Sequence, residues 1–140
     1  MANNNNLHLE IPCDVKQVRE LRKVLREFCQ NLGFNDETLG NLELAFNEGL
    51  TNAIEHGSSS NKKMHIDIDF IVKNRYFIIL IKDYGGKEFN PDYYERITLK
   101  KDWGRGGRGI FLMKSVMDEV SYVFSSNRFT TLYLSKKLPK

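Results

Sequence analysis

Long apolar runs are missing from this chain. No stretch approaches the length of a membrane-spanning helix, and no charged start followed by an apolar run suggests a signal peptide, so no membrane association is expected. Cysteine is scarce: Cys13 and Cys29 stand in no metal-like or redox-like pair and read as semi-buried thiols of a reducing, cytoplasmic compartment. Charge of one sign is also wanting. With 21 Lys and Arg against 18 Asp and Glu, the net charge of +3 can help steer an acidic partner or a nucleotide, but it falls well short of a nucleic-acid footprint. No internal repeat is visible. What the chain does have, 41% hydrophobic residues and 11% aromatics over 140 residues, is enough for one domain with a real core, spanning 1–140. Only the polar run ending at Asn6 is expected to fray, leaving residues 1–6 disordered.

Periodicity organises the rest. Leu7, Leu9 and Ile11 alternate with polar residues as in a short strand, which Pro12 ends. Asp14 and Gln17 resemble a capping box ahead of a helix from Val15 to Asn31, with apolar residues Val18, Leu21, Leu25, Phe28 and Leu32 and a stop at Gly33. A second helix is expected from Asn35 or Asp36 to Gly57, its stripe formed by Leu42, Ala45, Phe46, Gly49, Leu50 and Ala53, with a loop at Ser58 to Asn61. Met64 to Val72 and Tyr76 to Lys82 read as a hairpin turning at Lys73-Asn74, in which His65 is an exposed strand residue. From Gly85 to Gly109 regular patterning lapses, and that stretch carries six of the ten glycines, Pro91 and the lone Trp103, as functional loops do. A short helix from Ile110 to Met117 follows, then strands Val120 to Ser125 and Phe129 to Leu134 meeting at Ser126-Asn127. The fold class is α+β: a two-layer sandwich with a mainly antiparallel mixed sheet and helices packed on one face.

The second helix is unusually polar where it should be packing. Glu48 and Asn52 lie four residues apart, hence on one helix face beside the apolar stripe. A carboxylate and an amide oxygen so placed suit acceptance of a hydroxyl proton or coordination of a hard cation such as magnesium. Glu43 and Asn47 repeat the spacing but fall toward solvent, and for any such pair the simplest reading is an ordinary polar face. Two further features shift the balance. Asp83-Tyr84-Gly85-Gly86 closes an apolar strand with an acid that could accept from an exocyclic amine, beside glycines that admit a flat ring. Gly104-Arg105-Gly106-Gly107-Arg108-Gly109 runs into Ile110, and glycines opening a helix present N–H groups to an anion that Arg105 and Arg108 could also pair.

In this order the residues resemble a family. Glu48-Gly-Leu-Thr-Asn52-Ala-Ile-Glu-His56-Gly57, then Asp83-x-Gly85, then Gly106-Gly107-Arg108-Gly109-Ile110 look like the N, G1 and G2 boxes of GHKL-type ATPases. Within them the chain is most similar to bacterial anti-sigma factors that are also serine-protein kinases, with Phe89-Asn90-Pro91 and Met117-Asp-Glu-Val120 as further likenesses. The resemblance implies a Bergerat ATP-binding fold with ATP and Mg2+ as cofactors. It makes Asn52 the magnesium ligand, Glu48 the base that deprotonates a partner's serine, and Asp83 the acceptor for adenine. Gly107 and Gly109 would cradle phosphate and Thr130 would assist at the adenine end. His56, Gly85, Gly86, Arg105, Gly106, Arg108 and Ile110 complete the implied nucleotide set, although His56 also reads as a helix-end packing or capping residue. The implied partners are a STAS-type anti-anti-sigma protein and a sigma factor, with the chain as a homodimer. The pattern departs from the family where Lys87 replaces the third glycine of Asp-x-Gly-x-Gly, and in the flap from Asp92 to Arg105. Thr131 stands beside Thr130, and a shift of one residue would exchange their faces.

Two rivals follow. One is a nucleotide-gated module that binds a sigma factor or regulator without catalysis. The other, a histidine-phosphorylating sensor kinase, needs a helical hairpin with an acceptor histidine ahead of the ATP domain, and is discounted because the only histidines are His8, His56 and His65 and the sequence leaves no room for that hairpin.

Overall fold

The computed structural model describes residues 6–57, 63–85, 105–125 and 129–139. The expected loop at Ser58 to Asn61, the stretch with Gly86, Lys87, Phe89-Asn90-Pro91, the flap up to Gly104 with Trp103, and the expected turn at Ser126-Asn127 lie outside the described residues.

The first described element is β1 (Asn6–Pro12), in which Asn6, expected to fray, pairs with Ile71. The start of the first helix differs from a capping box. Asp14 accepts from the Lys16 N–H at 3.0 Å, and the Gln17 N–H bonds the Asp14 carbonyl at 3.0 Å, which makes a 3-10 turn over Val15–Gln17. Helix α1 then runs Val18–Cys29 and buries Val18, Leu21, Leu25 and Cys29. Gly33, at φ +91°, adopts the left-handed backbone that follows a helix end. Helix α2 (Asp36–Asn52) is capped by Asn35, whose side chain accepts from the Thr38 N–H at 2.8 Å. Its last turn widens into a π-turn over Ala53–Gly57, an irregularity common at functional sites.

Strands β2 (His65–Lys73) and β3 (Tyr76–Asp83) form the expected hairpin, but Lys73 pairs with Tyr76, so the turn is Asn74-Arg75. Both turn residues have positive φ, 52° and 68°, as the twist of a two-residue hairpin demands. Helix α3 (Arg105–Val116) begins five residues before the expected Ile110, and so takes in Arg105, Gly106, Gly107, Arg108 and Gly109. Strands β4 (Glu119–Ser125) and β5 (Phe129–Lys137) complete a sheet of order β1-β2-β3-β5-β4. Every pairing among the described strands is antiparallel, which corrects the expectation of a mixed sheet. Hairpin connections join β2 to β3 and β4 to β5, and such short links permit only antiparallel neighbours.

One face of the sheet carries the core. Ile66, Ile68 and Phe70 on β2, Phe77, Ile79 and Ile81 on β3, and Leu132 and Leu134 on β5 are buried against residues of the three helices. Phe70 lies at the centre of an aromatic cluster, with ring centroids 5.5 Å from Phe46, 5.6 Å from Phe28 and 6.0 Å from Phe77. Cys13 and Cys29 are fully buried in this core, more so than expected. Burial first, and the Glu43 charge second, push the Cys29 thiol up to about 12, which keeps it protonated and inert.

Candidate functional site

The site forms where α2, α3 and the ends of β3, β4 and β5 meet. Helix α2 reaches the sheet closely because residue 49 has no side chain. A Cβ there would come within 2.5 Å of Leu132 Cδ2 and 3.3 Å of Ile81 Cδ1. The neighbouring residue, Glu48, and Asn52 one turn later are both half-buried at the margin of the stripe, as the sequence predicts.

Gly109 of α3 faces that pair. A Cβ on Gly109 would lie 2.8 Å from Glu48 Oε2 and 3.2 Å from Asn52 Nδ2. Here glycine keeps a small space open between a carboxylate, an amide and the first turns of a helix. The N-terminal N–H groups of α3 come from Arg105 to Arg108, the positions that the sequence marks for anion binding. The side chains of Arg105, Arg108 and His56 lie outside what is described. The Ile110 side chain is fully buried in the core, so this residue can offer a ligand only its main chain.

At the other end of the site, Asp83 is buried as the last residue of β3, and its Oδ1 accepts from the Gly85 N–H at 3.1 Å. A carboxylate has lone pairs for several donors, and this bond fixes its orientation. Thr130 is buried directly opposite Asp83 in the β3–β5 register, whereas Thr131 pairs with Lys82 on the other face. The geometry therefore favours Thr130 as the threonine beside Asp83.

Tyr122 of β4 was not singled out from the sequence, where Val120, Tyr122 and Phe124 look like any alternating strand. Its hydroxyl is buried between the two halves of the site and interacts with Asn52 and with the Asp83 charge. Burial is the main cause that raises its pKa well above the ordinary tyrosine value. The Asn52 side chain lowers it in part, and Asp83 raises it again. Tyr122 therefore stays a neutral phenol within reach of both Asn52 and the Asp83 charge.

The second acid–amide pair has a different fate. Glu43 does not simply face solvent: it takes a hydrogen-bonded ion pair from Arg26 and joins α2 to α1. That contact holds Arg26 in its charged form.

The family model for the histidine kinase-like ATPase domain matches residues 11–136. The chain belongs to this family. The ATPase domain is 26% identical over 144 residues to serine-protein kinase RsbW of Oceanobacillus iheyensis, covering 98% of this chain and 89% of that protein. It is 28% identical to the anti-sigma F factor of Bacillus cytotoxicus over 136 residues, with 96% and 93% covered. Among solved structures, the RsbU and RsbW domains of a Mycobacterium tuberculosis protein superpose with a TM-score of 0.70 at 18% identity. That match covers 96% of the ATPase domain, which spans 33% of the longer mycobacterial chain. The shared fold has the α+β architecture with an antiparallel five-stranded sheet. No described helix is long and apolar enough to cross a membrane.

Proposed function

We propose that this ATPase domain is an ATP-dependent serine-protein kinase and anti-sigma factor. In this reading it phosphorylates a STAS-type anti-anti-sigma protein, binds a sigma factor, and works in the cytoplasm as a homodimer folded from residues 1–140. The observation that carries the reading is the space that Gly109 keeps open against Glu48 and Asn52. Family membership and the relatives named as a serine-protein kinase and an anti-sigma factor support it. The dimer is supported by apolar residues on the sheet face away from the core, where Val123 is 57% exposed.

The residue types fit a magnesium ion: Glu48 turns a carboxylate oxygen to the gap that a side chain at 109 would fill, and Asn52, whose Nδ2 now faces it, would offer its amide oxygen after a turn of the amide. Asn52 would hold the ion, which supplies charge neutralisation to the triphosphate when bound. Asp83, oriented by the Gly85 N–H and flanked by Thr130, accepts the adenine amino group. The N–H groups of Arg105 to Arg108 and the open space at Gly109 receive phosphate oxygens. Glu48 takes the proton as the serine oxygen bonds to the terminal phosphorus and the bond to the ADP oxygen breaks.

Incubation with γ-labelled ATP, magnesium and a STAS-type protein should move label onto one serine. Nucleotide binding without label transfer would leave the non-catalytic, nucleotide-gated module as the function. Gly109→Ala is a sharper probe in the same assay. Its methyl would push the Glu48 carboxylate aside, so transfer should fall by about 10- to 100-fold with the melting temperature little changed. Unchanged transfer would mean that Glu48 is not held where the reaction needs it.

A further inference from the structure

On the sheet face opposite the nucleotide site, the β1–β2 register places His8 across from Asp69, Glu10 across from Asp67, and Pro12 across from His65. Strand periodicity puts all the side chains at 8, 10, 65, 67 and 69 on that one face. Glu10, His65 and Asp67 each present a ligand atom, all within 4.8 Å of one another. His65 Nε2 is 3.9 Å from Glu10 Oε1 and 3.8 Å from Asp67 Oδ1. His8 Nε2 lies 3.7 Å from the same Asp67 oxygen. Glu10, His65 and Asp67 thus form a close three-ligand group, and His8 approaches it through the Asp67 oxygen that also faces His65.

We propose that His8, Glu10, His65 and Asp67 form a binding site for a divalent transition-metal ion of the zinc class. Tetrahedral zinc with bonds of about 2.0–2.1 Å to nitrogen needs ligand atoms about 3.3 Å apart, so the His65–Glu10, His65–Asp67 and His8–Asp67 separations would each shorten by roughly half an ångström, with His8 turning further inward to join the other three. The neighbours are already arranged as metal-supporting groups. His8 Nδ1 is 2.7 Å from Asp69 Oδ1, and a proton donated there leaves Nε2 as the lone-pair nitrogen facing Asp67. The Tyr84 hydroxyl donates to Asp67 Oδ2, which leaves Oδ1 turned toward the histidines. The His65 and Tyr84 rings contact with centroids 4.8 Å apart, which orients the imidazole. Lys82, opposite Asp67 on β3, places its ammonium 4.0 Å from the Phe129 ring centroid. Mixed imidazole and carboxylate ligands select zinc-class ions over magnesium or calcium, which prefer all-oxygen sets. The site therefore differs in chemistry from the one assigned to Asn52. Through Tyr84 it abuts the Asp83–Gly85 turn from the other side of the sheet.

The test is a titration of the chelator-stripped full chain with zinc chloride, without nucleotide or magnesium, against a chromophoric competitor. Zinc should bind at one equivalent per chain, and the His8→Gln/His65→Gln double variant should lose about tenfold or more in affinity while melting like the wild type. The chain has three histidines, so imidazole NMR provides an independent reading. The His8 and His65 signals should shift with zinc while His56 stays in place. Absence of saturable binding, wild-type affinity in the double variant, or a shift confined to His56 would each overturn the proposal. None of these results depends on whether the nucleotide site transfers phosphate.

Discussion

Glu48→Ala is expected to lower phosphate transfer to the partner serine by about 10²–10⁴-fold, the usual contribution of a positioned general base, while leaving nucleotide affinity within a few-fold of wild type. The fold should tolerate the change. Glu48 is only half-buried, it stands beside the packed Gly49 on α2, and alanine is a better helix former than glutamate. Loss of the carboxylate removes the atom that Gly109 leaves room for, without touching Asp83, Thr130 or the N–H groups of α3. Glu48→Gln sharpens the experiment, because it keeps the shape and the hydrogen-bonding capacity but cannot take up the proton. It should be nearly as defective as alanine in single-turnover transfer from γ-labelled ATP. Transfer at the wild-type rate in either variant would remove Glu48 from the mechanism.

Asn52→Ala has the second-largest expected effect, and it falls on binding. An interaction with a charged group contributes about 1.5–3 kcal/mol, so affinity for the nucleotide should drop by roughly 10- to 150-fold when magnesium is present. Without magnesium the variant and the wild type should bind equally weakly. That contrast separates a metal ligand from a residue that merely shapes the pocket. Asn52 also interacts with the buried Tyr122 hydroxyl, so a lower melting temperature is expected alongside. A purely structural role would weaken binding to the same degree with and without the metal, and calorimetry under both conditions distinguishes the two cases.

Much of this arrangement was legible before the structure because its signals are periodic. The stripe Leu42, Ala45, Phe46, Gly49, Leu50 and Ala53 is buried as a set, and its phase alone places Glu48 and Asn52 at the core margin while sending Glu43 elsewhere. What periodicity could not supply was contact between distant segments. Glycines at 106, 107 and 109 read as a loop because each costs about 1 kcal/mol in a helix relative to alanine, yet packing of α3 against α2 overrides that local preference. The hairpin turn slipped by one residue because Arg75 carries no sign of its positive φ. Arg75 is held partly by its carbonyl, which accepts from the Leu138 N–H at 2.8 Å. Tyr122 gave no signal because its role depends on where β4 lies relative to Asn52 and Asp83. The grouping of His8, Glu10, His65 and Asp67 was hidden for the same reason, since it exists only once β1 pairs with β2 in a specific register.

The most direct test of the account is calorimetric titration of the purified chain with a non-hydrolysable ATP analogue, with magnesium and then with the metal chelated. The account predicts saturable binding at one nucleotide per chain, strongly favoured by magnesium, and competed by ADP. No binding in either condition, or binding indifferent to the metal, would contradict it.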